Sequence, residues 1–206
     1  MENPVKVTVL GASGRAGSEI TAELARRGHQ VVAVARKPEA IAATPGVTAV
    51  QGDASNPEAL AKLIAGSDAV ISALHFDVPA ATLLAALRKA GVPRLLVTGG
   101  AASLEVAPGK RVIDTPDFPE AWKAVAQGGI VFLDDLRKEQ AIDWTYFSPA
   151  ALLEEGPRTG HYRPGLDQLV TDEAGESRIS FADYAIAMVD ELEQHRHSRA
   201  RFTAAY

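Results

Sequence analysis

The 206 residues, 47% of them hydrophobic, can bury one substantial core but are too few for two comfortable domains, so we expect a single domain over residues 1–206. A formal net charge of −5 provides no broad positive field, which argues against a nucleic-acid partner. The lack of cysteine excludes disulfides and thiolate metal sites, and no signal peptide or membrane-spanning apolar run is visible, so we expect a cytoplasmic protein without a membrane partner.

Short runs of β-branched residues alternate with amphipathic, alanine- and leucine-rich stretches, a pattern typical of parallel strands joined by crossover helices. We therefore expect an α/β fold, a single Rossmann-type doubly wound parallel sheet with helices on both faces. The elements predicted in the first half are strand 5–10, helix 15–27, strands 31–35 and 47–50, helix 57–66, strand 68–73, helix 79–90 and strand 94–98.

The composition changes after Gly99, where glycine, serine and proline become frequent. Long loops are expected at about 99–118 and 148–165, and loops of this length more often carry function than not, so we assign them to an acceptor site. The other predicted elements are helix 120–140 with a weak point at Gly128–Gly129, strand 143–147, strand 168–171, helix 181–193 and strand 201–205.

A glycine-rich turn, Gly-Ala-Ser-Gly-Arg-Ala-Gly, follows the first strand and opens the first helix, which is the context of a dinucleotide-binding fingerprint. Its glycines allow a tight turn, a close approach of backbone to diphosphate, and packing of helix on strand. The alternative, a glycine-rich turn without a ligand, is disfavoured by this context. The predicted cofactor-binding residues here are Gly11, Ser13, Gly14, Arg15, Ala16 and Gly17.

The end of the second strand favours NADP(H) over NAD(H). An acidic residue at this point would bind the adenosine ribose and repel a 2′-phosphate, but the strand ends Ala35-Arg36-Lys37. Arg36, together with Arg15, could pair with a 2′-phosphate through charge-assisted hydrogen bonds. The alternative is that Arg36 and Lys37 begin a solvated helix, and the nearby Glu39 weakens the case for the phosphate.

Further cofactor contacts are predicted where strands end, because open parallel sheets bind ligands at their carboxyl edge. Residues after the third strand would border the adenine, and those ending the fourth, fifth and sixth strands would line the rest of the cleft. The predicted residues are Asp53, Ala54, Ser72, Ala73, Leu74, Thr98, Gly99 and Pro149.

Several motifs resemble the atypical short-chain dehydrogenase/reductases, in particular their NAD(P)H-binding group, which includes NADH-flavin reductases and is related to NmrA-like proteins and biliverdin reductase B. The likeness covers almost the whole chain. The motifs are GASGRAG at 11–17, Gly-Asp at 52–53, Gly-Gly-Ala at 99–101, Asp-Trp-Thr at 143–145, Ser-Pro-Ala at 148–150, Thr-Gly-His-Tyr at 159–162, and Ser-Arg-Ile-Ser with Asp-Tyr-Ala at 177–185. The resemblance implies a single Rossmann domain that binds NADP(H), with a flavin or similar conjugated acceptor over the nicotinamide.

The chain departs from this family in two places. The larger short-chain family uses a Tyr-x-x-x-Lys pair to exchange a proton with an alcohol or carbonyl, and no lysine stands four residues after any tyrosine here. Biliverdin reductase B resembles this chain but carries a serine where Gly99 stands. Without the pair, ketone reduction and epimerisation are disfavoured, whereas hydride transfer to a flavin needs only solvent as proton source.

We therefore predict an NAD(P)H-dependent oxidoreductase that reduces a flavin (FMN or FAD) or a quinone-like acceptor with NADPH. Candidate catalytic residues are Ser103, His161 and Tyr162, and His75 and Phe76 would help to line the acceptor pocket. One alternative is an NmrA-like, non-catalytic NADP(H) sensor with a protein partner; another is an extended-family epimerase or dehydratase. No metal site is expected, since His195 and His197 lack a third ligand.

Overall fold

The structure of the protein is a computed structural model that describes residues 4–206. Within these residues the α-helices are α1 (Arg15–Arg26), α2 (Pro57–Ile64), α3 (Ala80–Ala90), α4 (Lys123–Leu136) and α5 (Phe181–Gln194). The β-strands are β1 (Lys6–Leu10), β2 (Gln30–Ala35), β3 (Val47–Gln51), β4 (Ala69–Ser72), β5 (Arg94–Thr98), β6 (Glu105–Ala107), β7 (Lys110–Arg111), β8 (Asp143–Ser148), β9 (Leu152–Glu154), β10 (Arg163–Gly165), β11 (Arg178–Ser180) and β12 (Ala200–Ala205).

Eight strands form one sheet in the order β10-β12-β8-β5-β4-β1-β2-β3. All neighbours are parallel except β10 and β12, which run antiparallel. The chain passes from β1 to β2 on one side and later places β4 on the other, so the strand order reverses at β1. The crevice beyond the carboxyl ends of β1 and β4 is the position where sheets of this topology bind ligands. The predicted Rossmann-type sheet is confirmed.

Helices cover both faces of the sheet, as predicted. One core lies under α1 and α5 and contains Ile20, Leu24, Tyr184 and Met188, none of which is more than 1% exposed. The other lies under α2, α3 and α4 and contains side chains such as Tyr146. The central strands are buried on both faces, which explains their continuous apolar sequences.

Local signals start and end the crossover helices where the sequence indicates. The side-chain oxygen of Asn56 accepts hydrogen bonds from the N–H groups of Glu58 and Ala59, at 2.9 and 3.1 Å, and Pro57 occupies the first position of α2. Gly91 ends α3 with a positive φ of 69°. These two helices reverse the chain between parallel strands and leave the carboxyl edge of the sheet open.

The prediction of a loop over residues 148–165 was wrong in part, because this segment contains the two strands β9 and β10. β9 pairs with β11, and β10 adds an antiparallel edge to the main sheet with Arg163 opposite Ala205. The sequence Arg-Pro-Gly of β10 reads as a turn, but an edge strand tolerates proline because one side of its backbone needs no partner. The predicted loop 99–118 similarly contains the short hairpin of β6 and β7.

The predicted strand 168–171 was wrong. Only Gln168 makes a β-bridge, to Glu105, and the N–H of Leu169 donates to the Glu105 carbonyl at 2.8 Å. The edge of the main sheet that this apolar segment could have joined is already occupied by β10. The segment instead lies against the β6–β7 hairpin.

The predicted helix 120–140 is shorter than expected and is not weakened at its glycines. A 3-10 turn at Glu120–Trp122 leads into α4, which continues through Gly128 and Gly129 and ends at Leu136. A Cβ at Gly129 would lie 2.8 Å from the ring of Phe76. The glycine pair therefore allows α4 to approach the sheet closely.

Within residues 4–206, none of the helices is both long and apolar enough to cross a membrane. The same residues contain no group of three or more histidine, aspartate and glutamate side chains arranged to hold a metal ion.

Candidate functional site

The turn between β1 and α1 is held by two strands. Gly11 has a φ of 75°, and a Cβ there would lie 2.6 Å from the carbonyl oxygen of Ala73. The N–H groups of Gly11 and Ala12 both donate to the carbonyl of Val34, at 3.0 and 3.1 Å. The turn therefore lies between the carboxyl ends of β2 and β4, and position 11 has no room for a side chain.

The other two glycines of the turn have different surroundings. A Cβ at Gly17, in the first turn of α1, would lie 2.2 Å from the carbonyl oxygen of Gly11, so α1 packs directly on the turn. A Cβ at Gly14 would meet the same oxygen at 3.3 Å and no other described atom outside its own chain neighbours within 4 Å. The space beside Gly14 is open, as a close approach by a phosphate requires.

The start of α1 offers hydrogen-bond donors to an anion. The N–H groups of Ser13, Arg15, Ala16 and Gly17 have no acceptor among residues 4–206, and no side chain of that range caps the helix at Gly14. The first turn of α1 carries no acidic residue. Unpaired amides and the positive end of the helix dipole therefore point to one place, which fits the diphosphate of a dinucleotide.

The two predicted phosphate-binding arginines have different neighbours. The exposed Arg15 guanidinium lies 5.0 Å from the centre of the Phe181 ring, at the start of α5. Arg36 is exposed after β2, where the Gln51 side-chain amide donates to its carbonyl at 3.2 Å. Arg15 therefore lies beside the start of α5, and Arg36 lies at the end of β2.

Asp53 is the predicted acidic neighbour of the adenine, and it lies close to Arg36. Its carboxylate accepts a hydrogen bond from the N–H of Ser55 at 2.8 Å. The N–H and then the hydroxyl of Ser55, with a smaller effect of the Arg36 cation, lower the pKa of Asp53. Ala54 next to it is buried against Val34 and the α2 side of the core. Asp53 is thus an anion on the rim of the cleft.

The ends of β4, β5 and β8 meet beside the glycine turn. The N–H of Ala73 donates to the Leu10 carbonyl at 2.9 Å, and the Thr98 hydroxyl donates to the Ser72 carbonyl at 3.2 Å. The N–H of Gly99 donates to the Phe147 carbonyl at 2.8 Å, which places Pro149, two residues later, at the same edge. The predicted residues that the structure brings together there are Gly11, Ser72, Ala73, Leu74, Thr98, Gly99 and Pro149.

Tyr146 is an organising residue of this edge that sequence reasoning missed. Its buried hydroxyl accepts a hydrogen bond from the N–H of Gly100 at 2.9 Å and donates one to the carbonyl of Gly129 in α4 at 3.0 Å. A Cβ at Gly99 would lie 2.3 Å from its ring. The two glycine pairs, at 99–100 and 128–129, were the available signal, because both make room for one large side chain.

This arrangement explains why position 99 is glycine in this chain, whereas the similar biliverdin reductase B carries a serine there. A serine at position 99 and the Tyr146 ring cannot occupy the same space. Burial raises the pKa of Tyr146 well above the ordinary value, and its proton already bonds the Gly129 carbonyl. Tyr146 is therefore a structural residue and not a proton donor.

Two of the three predicted catalytic residues are bound to other side chains. The Ser103 hydroxyl accepts a hydrogen bond from Arg201 at 3.2 Å, and Arg201 also pairs with Asp167. The Tyr162 hydroxyl donates to Asp190 at 2.5 Å, in the second half of α5, where Asp190 also pairs with Arg27 at the end of α1. Since α1 begins at the glycine turn and is 12 residues long, the Tyr162 hydroxyl lies about 18 Å from that turn.

His161 is the third predicted catalytic residue. Its side chain is exposed and borders a surface cleft together with Ser180 and Tyr206. The preceding turn, Thr159–Gly160, is hydrogen-bonded to Asp183 in the first turn of α5. His161 is therefore beside the helix end that also holds the contact between Arg15 and Phe181.

Asp183 fixes the segment that leads to His161. Its buried carboxylate accepts four hydrogen bonds: from the N–H groups of Thr159 and Gly160, from the Thr159 hydroxyl at 2.6 Å, and from the Tyr206 hydroxyl at 2.8 Å. Burial raises the pKa of this carboxyl, but the hydrogen bonds lower it by more, so that its pKa lies below 3.8. The bond from the Thr159 hydroxyl has the largest lowering effect. The charged form is therefore favoured in the folded protein.

We expect Asp183→Asn to lower the free energy of unfolding by about 2 kcal/mol at neutral pH, because charged-acceptor bonds are lost. Because the pKa of the Asp183 carboxyl is lower in the folded than in the unfolded protein, its charged form stabilises the fold at pH values above the unfolded pKa of 3.8. This stabilisation is lost as the pH falls through the pKa of the folded protein. Urea unfolding measured from pH 6 downwards should therefore show a smaller loss of stability on acidification in the variant. Asp134→Asn, on the exposed side of α4, is the control, and equal pH dependence in wild type and Asp183→Asn would contradict the assignment.

Comparison with known proteins places the chain in context. Residues 11–192 match the model of a family described as NAD(P)H-binding. A Burkholderia pseudomallei structure, proposed to be of an exported protein, is 47% identical, with a TM-score of 0.89 over 98% of this chain and 100% of that one. A proposed epimerase from Bacteroides thetaiotaomicron is 41% identical, with a TM-score of 0.93 over 99% and 98%. A proposed NADH-flavin reductase from Streptococcus pneumoniae is 35% identical, with a TM-score of 0.83 over 98% and 99%.

Proposed function

The chain belongs to the NAD(P)H-binding family, among the atypical short-chain dehydrogenase/reductases, and we propose that it transfers hydride from NADPH to a flavin or a quinone-like acceptor. A nicotinamide cofactor follows from the family. The observation that supports binding at the predicted place is the set of N–H groups of Ser13, Arg15, Ala16 and Gly17 at the start of α1, which have no acceptor among residues 4–206.

In this proposal each part of the carboxyl edge has a separate task. The N–H groups of Ser13 and of residues 15–17 bind the diphosphate, Arg36 binds the 2′-phosphate, and Asp53 with Ala54 borders the adenine. The backbone at Thr98 and Gly99, held by Ser72 and Phe147, forms the wall beside the nicotinamide. The bound nicotinamide supplies the hydride, and the protein orients two flat rings and excludes water.

The choice of acceptor rests on the hydroxyls of the four tyrosines, all of which are engaged in hydrogen bonds within the protein. Tyr146 and Tyr184 donate to backbone carbonyls, and Tyr162 and Tyr206 donate to carboxylates. Reduction of a ketone needs a proton donor at the reacting oxygen. A flavin or quinone can take its proton from solvent, and this supports the proposal of such an acceptor.

The test is the absorbance of NADPH incubated with purified protein and, in turn, FMN, FAD, riboflavin or menadione. Loss of absorbance that requires both protein and acceptor supports the oxidoreductase. Tight binding of NADPH by calorimetry without turnover on any acceptor would favour the alternative of a redox sensor with a protein partner. Turnover of a nucleotide sugar, with no net change in NADPH, would favour an epimerase.

We expect Arg36→Ala to weaken NADPH binding by about tenfold or more while changing NADH binding little, since one charge-assisted contact to the 2′-phosphate is lost. Isothermal calorimetry with both nucleotides measures the two affinities. Lys37→Ala, which removes the adjacent exposed cation, is the matched control. Equal losses for NADPH and NADH in Arg36→Ala would show that Arg36 does not select the cofactor.

A further inference from the structure

The start of α4 carries large apolar side chains in solvent. Trp122, which immediately precedes the helix, is 66% exposed, and Val125 is 56% exposed. At 100° per residue these two positions lie on the same side of the helix as Gly129 and Phe132. Gly129 and Phe132 are buried. The side of α4 that packs on the sheet through Gly129 and Phe132, here called its inner face, therefore extends to the exposed apolar side chains of Trp122 and Val125.

This continuation extends past the carboxyl edge of the sheet. The chain enters α4 after β5 and leaves it for the start of β8, so α4 runs opposite to the strands and begins at their carboxyl ends. Gly129 is level with Gly100, because the Tyr146 hydroxyl bonds to both. Trp122 is seven residues before Gly129, which places it about 10 Å farther out.

The contacts of Phe76 show where the exposed start of α4, with Trp122 and Val125, lies relative to the strand ends. Phe76, which follows β4, lies with its ring centre 5.6 Å from that of Phe132 and within 4 Å of a Cβ placed on Gly100 or Gly129. Gly100 directly follows Thr98 and Gly99, the wall proposed above for the nicotinamide. The exposed part of the inner face of α4 therefore stands over the cleft in which the acceptor would meet the cofactor.

We propose that Trp122 and Val125 form the wall that stacks on a planar, conjugated acceptor. This inference rests on the proposed function and adds the residues that bind the acceptor. An indole is a wide, flat and polarisable surface, and it suits a flavin or naphthoquinone ring better than an aliphatic substrate. The occupant is a small ring because this surface continues the cleft, and the partly exposed Phe76 beneath it is also aromatic.

Steady-state kinetics with menadione test the proposal in Trp122→Ala. We expect the KM for menadione to rise by about tenfold, with the KM for NADPH unchanged, because stacking on the acceptor is lost and the cofactor contacts remain. Val131→Ala is the matched control, since Val131 is 51% exposed on the opposite side of the same helix. An unchanged KM for menadione in Trp122→Ala, or an equal rise in Val131→Ala, would overturn it.

A binding measurement separates this inference from the proposed reaction. The chain has two tryptophans, and Trp144 is only 3% exposed, so the difference in fluorescence between wild type and Trp122→Phe reports Trp122. In the presence of NADP⁺, FMN or menadione should quench this emission, with N-acetyltryptophanamide as the control for light absorption by the ligand. Quenching without any turnover would support the binding wall and refute the reductase.

Two results would refute the binding wall while leaving the reductase in place. One is turnover with quenching that is equal in wild type and Trp122→Phe. The other is wild-type self-association that disappears in Trp122→Ala, seen by sedimentation, with an unchanged KM for menadione. The second result would assign the surface to another copy of the chain.

Discussion

Gly17→Ala is expected to lower the free energy of unfolding by about 3 kcal/mol, and the melting temperature by about 6 to 12 °C, with loss of detectable NADPH binding. The added Cβ would lie 2.2 Å from the carbonyl oxygen of Gly11, a backbone atom that cannot rotate away. α1 must therefore shift off the turn, and its N–H groups lose their common direction. Urea unfolding and calorimetric titration with NADPH measure the two effects.

Gly14→Ala is the comparison that separates folding from binding. Its Cβ would meet the same oxygen at 3.3 Å, which a small adjustment relieves, so stability should stay within about 0.5 kcal/mol of wild type. The methyl group would stand where the diphosphate is proposed to approach, and NADPH should bind about tenfold more weakly or worse. Normal NADPH affinity in a well-folded Gly14→Ala protein would contradict the proposed position of the diphosphate.

Gly99→Ser is expected to lower the free energy of unfolding by about 3 kcal/mol, because its Cβ would lie 2.3 Å from the Tyr146 ring in a packed core. Displacing that ring also breaks the hydrogen bond that the Tyr146 hydroxyl accepts from the Gly100 N–H and the one that it donates to the Gly129 carbonyl. The separation of α4 from the end of β5 should then change. Urea unfolding measures the loss of stability.

A double-mutant cycle identifies the Tyr146 ring as the cause. Tyr146→Ala alone should cost about 3 to 5 kcal/mol, and adding Gly99→Ser to it should cost at least about 2 kcal/mol less than in the wild-type background. Gly100→Ala is the control, because its Cβ would make only ordinary contacts, at 3.7 Å from Phe76 and 3.8 Å from Tyr146. Additive costs of Gly99→Ser and Tyr146→Ala would refute the steric explanation.

Much of the fold follows from local sequence signals. The order of the first five strands, the crossover helices and the placing of Gly11 and Gly17 are predictable because each depends on neighbours along the chain. Periodicity, caps and glycines at tight turns are properties of short segments. The edge strand β10 was not predictable in this way, since its Pro164 is acceptable only at the edge of a sheet whose neighbour comes 40 residues later.

The candidate site likewise has a part that was predictable from the sequence and a part that was not. The glycine turn and the strand ends were predicted because topology brings the carboxyl ends of parallel strands together. The partners of Arg15, Ser103 and Tyr162 were not predictable, because Phe181, Arg201 and Asp190 are distant in sequence and lie on other elements. In particular, the sequence shows a tyrosine but not whether its hydroxyl is free.

The contact between α1 and α5 has a consequence for how the chain acquires its structure. Arg27, at the end of α1, pairs with Asp190 and Glu193, which come more than 160 residues later. During synthesis on a ribosome, the first helix can pack on β1 and β2 early, but it lacks its α5 partner until most of the polypeptide has emerged. Such distant pairing makes folding slow and all-or-none, so the phosphate-binding turn is expected to become rigid only in the final cooperative step.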